Sequence, residues 1–84
     1  MAGGVLLFGK LKDVFGAASV PFPAGATTAA EVRARLAELN PELADAINAR
    51  GVRVAVNQKL VADEAGAAVS PGDEIALLPP LSGG

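Results

Sequence analysis

Cysteine, histidine, tryptophan and tyrosine are all missing from the 84 residues, and three phenylalanines are the only aromatics. Without cysteine no disulfide framework and no thiolate metal site can exist, and a reducing compartment is the expected setting. Without cysteine or histidine, general acid–base work would fall to carboxylates of shifted pKa, and nucleophilic attack to an activated Ser, Thr or Lys. The carboxylates closest in sequence, Asp63 with Glu64 and Asp73 with Glu74, are adjacent, and neighbours in extended chain point to opposite faces. They read as solvated turn charges. Ser70 and Ser82 have no partner base, and the glycines at 3, 4, 9, 16 and 25 make no phosphate-cradling motif. No apolar run approaches a bilayer-spanning length, and Met1-Ala2-Gly3-Gly4 has no basic leader region, so no membrane partner is expected and the cytoplasm is the expected location.

Seven basic and nine acidic residues give a net charge of −2. The bases (Lys10, Lys12, Arg33, Arg35, Arg50, Arg53, Lys59) are scattered, with neither a basic stripe nor stacking aromatics, which argues against a nucleic-acid partner. Asp63, Glu64, Asp73 and Glu74 make the C-terminal part acidic, a bias that favours a partner with a basic pocket.

The composition, 51% hydrophobic and 19% charged, is that of one small globular domain with no cofactor or metal implied. Val5 to Phe8 is an apolar run, and Ser19 to Phe22 alternates well enough to be its partner strand in a first hairpin, with Pro21 favouring an edge. Lys10 to Phe15 reads as a turn or a single helical turn closed by Gly16. Thr28-Ala29-Ala30-Glu31 fits a capping box that starts a helix at Ala29. Val32, Leu36 and Leu39 form one apolar stripe, with Arg33, Arg35 and Glu38 off it. Asn40-Pro41 ends that helix and opens a shorter one, capped by Asn40, through Leu43 and Ile47 to Gly51. Val52 to Val56 and Lys59 to Val61 flank an Asn57-Gln58 turn, a second hairpin. Residues 62–69 read as loop, Ser70-Pro71-Gly72-Asp73 as a turn, and Glu74 to Leu78 as the last strand. The order implies an α+β fold with the helix across one sheet face.

The sequence then closes on Pro79-Pro80-Leu81-Ser82-Gly83-Gly84. The prolines stop the ladder and hold the chain extended. Two residues without Cβ can thread a narrow channel, so the α-carboxylate of Gly84 is the reactive group left by elimination. It is ionised and a poor electrophile at neutral pH, so a partner would have to activate it. Leu78 and Leu81, with parts of Phe8, are candidates for an exposed apolar partner surface, the competing reading being that Phe8 and Leu78 are core.

Over essentially its whole length the chain resembles the MoaD/ThiS group of ubiquitin-like β-grasp sulfur carriers, in the form of the molybdopterin synthase small subunit. The residues that carry the resemblance are Val5-Leu6-Leu7-Phe8-Gly9 with Lys12-Asp13 and Gly16, then Ala55-Val56-Asn57-Gln58, then Gly72-Asp73-Glu74-Ile75 through Leu81-Ser82-Gly83-Gly84. Lys12-Asp13 stands where Arg-Glu is common in the family, and Leu77-Leu78 where aromatics are frequent. The resemblance implies a mixed four- to five-stranded sheet packed on one main helix, a β-grasp domain over 1–78 and a flexible tail over 79–84. It implies a carrier that is not an enzyme alone but the sulfur-carrying subunit of a sulfurtransferase complex. Gly84 would be adenylated and converted to thiocarboxylate, Gly83 and Ser82 would form the approach, and Leu81, Pro80, Pro79, Leu78 and Phe8 would contact partners. Those partners would be an adenylating enzyme that uses ATP, a cysteine desulfurase or rhodanese-type sulfur donor, and the synthase large subunit, in a heterotetramer that builds molybdopterin from cyclic pyranopterin monophosphate. A sulfur carrier for thiamin thiazole or another thiolation pathway, and a ubiquitin-like protein modifier, are the alternatives.

Overall fold

The computed structural model describes residues 4–80. They run β1 (Gly4–Leu7), α1 (Gly9–Phe15), β2 (Ser19–Pro21), α2 (Ala29–Leu39), α3 (Pro41–Ile47), β3 (Arg53–Val56), β4 (Lys59–Leu60), a 3-10 turn (Glu64–Gly66) and β5 (Ile75–Leu78). Among the described residues, five strands form one sheet in the order β2-β1-β5-β3-β4. β5 lies at the centre, parallel to β1 with Val5 opposite Ile75 and Leu7 opposite Leu77. On its other side it is antiparallel to β3, with Val56 opposite Ile75 and Arg53 opposite Leu78. One parallel pair among antiparallel ones makes the sheet mixed, and with the helices on one face this is the ubiquitin-like β-grasp arrangement. Pro21 is indeed on an edge strand, where its missing N–H costs no ladder bond.

The period-two alternation of the strands puts Val5, Leu7, Val54, Ile75 and Leu77 on the helix side, where at most 1% of each is exposed. They meet Ala29, Val32 and Leu36 of α2, Leu11 of α1, and Leu43 and Ile47 of α3 in one core. Each such aliphatic side chain contributes about 1.5–3 kcal/mol by leaving water.

Several local expectations shift. The segment after Phe8 is a seven-residue helix rather than one turn. Gly16 closes it in the left-handed region, φ 86°, with its N–H donating to Lys12 O. β1 and β2 are therefore antiparallel neighbours joined through a helix, because Leu11 has core to reach. Thr28 does cap α2, accepting from Glu31 N at 3.2 Å. The Glu31 carboxylate, however, accepts from Thr27 N at 2.7 Å and Thr27 Oγ1 at 2.9 Å. The chain ahead of α2 is pinned alongside residues 67–69 through Val69 N to Thr27 O and Ala29 N to Ala67 O. In that pinned conformation Thr27 faces the carboxylate. Leu39 leaves the stripe and is 67% exposed, because Leu43 and Ile47 of α3 fill the core at that end. Asn40 makes no side-chain bond to α3; its amide donates to Leu36 O instead, finishing α2. α3 stops at Ile47, short of Gly51. The Asn57-Gln58 turn has φ of 52° and 71°, positive at both central positions, which matches strand twist in a two-residue hairpin.

Leu36→Ala should cost about 2–5 kcal/mol and Leu39→Ala no more than about 0.5 kcal/mol in urea unfolding; equal losses would contradict the assigned helix face. Thr27 N–H, then its hydroxyl, hold the Glu31 carboxyl below the ordinary carboxylate range, with Arg35 and the Thr28 N–H adding to them. A depressed folded pKa stabilises above the unfolded pKa, and that stability is lost as pH falls through the folded value. The stability advantage of wild type over Glu31→Gln should therefore shrink from neutral pH to acid, and a pH-independent difference would refute this.

Candidate functional site

Sheet register decides where the chain goes after β5. Leu7 lies opposite Leu77 and Arg53 opposite Leu78. Continuing those registers sets Gly9 beside Pro79 and Gly51 beside Pro80. Neither proline has an N–H to extend the ladder, and the flanking strands meet them with residues that have no side chain. A Cβ on Gly9 would lie 3.0 Å from Pro79 Cγ, and one on Gly51 would lie 3.0 Å from Pro80 Cβ. Both glycines hold left-handed backbone, φ 57° and 88°, a region costly for other residues. Pro79 is half-buried and Pro80 exposed.

The sheet face away from the helices is not covered by any element among the described residues. Leu6, Phe8, Ala55, Leu60, Ala76 and Leu78 line a shallow depression there of about 230 Å³, with Gln58 and Glu74 at its edge. Phe8 is 44% and Leu60 53% exposed, while Leu78 is half-buried. The alanines of β3 and β5, opposite one another in the register, keep the floor low. Phe8 continues the outward parity of Leu6 and stays extended ahead of α1, φ −132° and ψ 157°. Phe8 is therefore not core. A second apolar groove, about 400 Å³, lies between α1 and α3, with Leu11, Val14, Ala46 and Ala49 in its walls and Pro79 and Pro80 at its margin. Pro79 and Pro80 lie between these two surfaces.

Phe8, Leu78, Pro79 and Pro80 thus come together at one end of the sheet. Leu81, Ser82, Gly83 and Gly84 lie outside the described residues. Of the paired acids Asp63, Asp73 and Glu74 sit in turns, whereas Glu64 is not a solvated turn charge but a half-buried partner of Arg33. Asp73 Oδ2 accepts from Ser70 N at 2.9 Å, and Asn57 Oδ1 accepts from Glu74 N at 3.0 Å, pinning the hairpin turn to the start of β5. Asp63 Oδ1 accepts from Gly66 N.

Arg33, read from sequence as a residue off the apolar stripe, has a structural task. Its Nε and Nη2 donate to the two carboxylate oxygens of Glu64 at 2.9 and 2.7 Å. Nη1 and Nη2 also donate to Ile47 O at 2.8 Å and Val52 O at 2.7 Å. One guanidinium therefore fastens both ends of the segment that carries Gly51. A long side chain flanking an apolar stripe, with Glu64 beside Asp63 in an alanine-rich loop, is the only trace of this in the sequence.

Comparison with known proteins places this geometry in context. The model of the ThiS family matches residues 5–84. The molybdopterin synthase sulfur carrier subunit of Haemophilus influenzae is 36% identical over 80 residues, covering 95% of this chain and 96% of its own. The crystal structure of SAMP1 from Haloferax volcanii superposes with a TM-score of 0.76 at 30% identity, covering 95% of this chain and 96% of that one. The solution structure of small archaeal modifier protein 1 from Methanosarcina acetivorans gives a TM-score of 0.78 at 22% identity, over 95% and 93%; it speaks to the fold alone.

Burial separates the two faces in a testable way. Phe8→Ser should change unfolding free energy by no more than about 1 kcal/mol, whereas Leu7→Ala, one residue earlier and 1% exposed, should cost about 2–5 kcal/mol. Comparable losses in thermal unfolding would place Phe8 in the core after all.

Proposed function

This chain belongs to the ThiS family, and from that premise we propose that it is a sulfur carrier, loaded and unloaded by partner enzymes at the diglycine Gly83-Gly84. The observation that carries the reading is the exit of β5. The central strand is paired on both sides up to Leu77 and with β3 alone at Leu78, and Pro79 and Pro80 follow between an uncovered apolar face and a groove. Contiguous apolar surface of this kind suits a protein partner. The named role of the Haemophilus influenzae relative, at 36% identity across both chains, supports the same reading.

The chemistry proceeds in two displacements. In an adenylating enzyme a carboxylate oxygen of Gly84 attacks the α-phosphorus of ATP, and pyrophosphate leaves. Sulfur from a desulfurase or rhodanese-type persulfide then attacks the acyl carbon and AMP departs with the former carboxylate oxygen; a thiol cleaves the remaining S–S bond to leave the thiocarboxylate. In the large subunit of molybdopterin synthase the thiocarboxylate sulfur displaces an oxygen substituent from a carbon of cyclic pyranopterin monophosphate, and water hydrolyses the resulting thioester, leaving the sulfur on the pterin and Gly84 as carboxylate. Two loaded carriers complete a dithiolene. Leu78, Phe8 and Leu81 dock against the partners, and Ser82 and Gly83 make the narrow approach. A second reading is favoured by the name of the solved Haloferax volcanii relative, small archaeal modifier protein 1: the activated Gly84 is captured by a lysine amine, and the chain becomes a covalent modifier.

Intact mass after incubation with ATP, an adenylating enzyme and a persulfide donor should rise by about 16 mass units, one oxygen exchanged for sulfur in the activated carboxyl. Deleting Gly83-Gly84 should abolish the gain, and Phe8→Arg should slow it at unchanged thermal stability. An unchanged mass would refute the carrier reading, and amide-linked adducts in place of the gain would establish the modifier.

A further inference from the structure

We propose that Gly9 and Gly51 are positioning residues: they form a two-sided seat for Pro79 and Pro80 that fixes the direction in which the chain leaves the sheet. The seat follows from register. β1 and β3 flank β5, and extending their pairing by two residues brings one glycine to each proline, from opposite sides. At 3.0 Å a Cβ on either glycine would crowd a proline ring carbon. Gly16 and Gly25 share the left-handed backbone, φ 86° and 84°, yet a Cβ there would meet nothing within 4 Å at Gly16 and only the end of Arg35 at Gly25. Glycine at 9 and 51 thus answers two demands, backbone conformation and close approach of a proline.

Both sides of the seat are tied to the core. Gly9 opens α1, whose Leu11 is 1% exposed. Gly51 lies in the short connection between α3 and β3 whose carbonyls at Ile47 and Val52 are held by the Arg33 guanidinium, itself clamped by Glu64. The prolines have φ fixed by their own rings. A body-anchored slot around a stiff dipeptide sets an exit vector, so less orientational freedom remains to be lost when the terminus enters a partner's channel. The inference rests on the carrier reading only for its enzymatic readout.

The test uses the full chain in four forms, Gly9→Ala, Gly51→Ala, Pro80→Gly and the matched control Gly16→Ala. Gly16→Ala imposes left-handed strain without touching a proline and should melt lower by about 5 °C; Gly9→Ala and Gly51→Ala, which add the crowding of a proline ring, should melt lower by at least as much. Wild type should show nuclear Overhauser contacts from the Gly9 and Gly51 α-protons to the Pro79 and Pro80 rings. Residual dipolar couplings of the Leu81 N–H relative to the body should change in Gly9→Ala, Gly51→Ala and Pro80→Gly but not in Gly16→Ala. Rates of loading by the adenylating enzyme and donor should fall about tenfold to a hundredfold in the same three variants, with Gly16→Ala at the wild-type rate. Absent proton contacts, or Gly51→Ala and Gly16→Ala alike in couplings and rate, would overturn the seat. Wild type that is never loaded would count against the carrier reading, and the couplings would then decide the seat by themselves.

Discussion

Everything about this chain's exit depends on β5 being paired on both sides. Its parallel partner, β1, comes from the opposite end of the sequence, and its antiparallel partner, β3, from the middle. The three strands close the sheet only when contacts far apart in sequence form together, and loop-closure entropy has to be overcome before those contacts stabilise anything. Once formed, the pairing fixes two things at the same time. It buries Ile75 and Leu77 completely, and it points the end of β5 toward the start of α1 and the connection into β3, where the chain meets Pro79 and Pro80.

The two sheet faces divide the work. The helix side is a dense aliphatic core of leucine, isoleucine and valine with two alanines. The other side is apolar but shallow, because Ala55 and Ala76 occupy its floor, while Phe8 and Leu60 rise at its margins. A monomer that needed only to stay dissolved would place polar residues on that face, as half-buried antiparallel sheets commonly do. The proposed docking of partners rests on this apolar surface beside Pro79 and Pro80. The Arg33–Glu64 pair, about 19% and 24% exposed, stabilises the arrangement less by charge attraction, which solvent screens, than by satisfying two carbonyls that would otherwise end α3 and begin β3 without partners.

Much of this could be read from the residues. Period-two alternation located the strands, the Thr28 cap located α2, and Pro79-Pro80 marked where the ladder stops, because those signals are local and each has a steric or hydrogen-bonding cause. What escaped was tertiary. Leu39 has the spacing of a core residue and lies outside because α3 occupies the space beneath it. The Asn40 side chain serves the helix behind it, and the helix ahead takes only its backbone carbonyl, at Leu43 N. Arg33 looked like a solvent charge until Ile47, Val52 and Glu64 were brought around it. Gly9 and Gly51 were the least legible of all: a glycine required by a neighbour's ring has the same letter as one required by a turn. The exposure of Phe8 was left open by the sequence, since an apolar residue after a buried strand can fall on either face, and the parity of Leu6 and Phe8 decides it.

Pairing on both sides makes the last strand the most firmly held part of the domain and carries its rigidity up to the prolines. Native-state amide hydrogen exchange on the full chain tests this directly. The account requires the Ala76 and Leu77 amides to exchange only through global unfolding, with the same free energy and denaturant dependence as those of Leu7 and Val54. Exchange of Ala76 and Leu77 through a local opening, well below the global unfolding free energy and insensitive to denaturant, would contradict it.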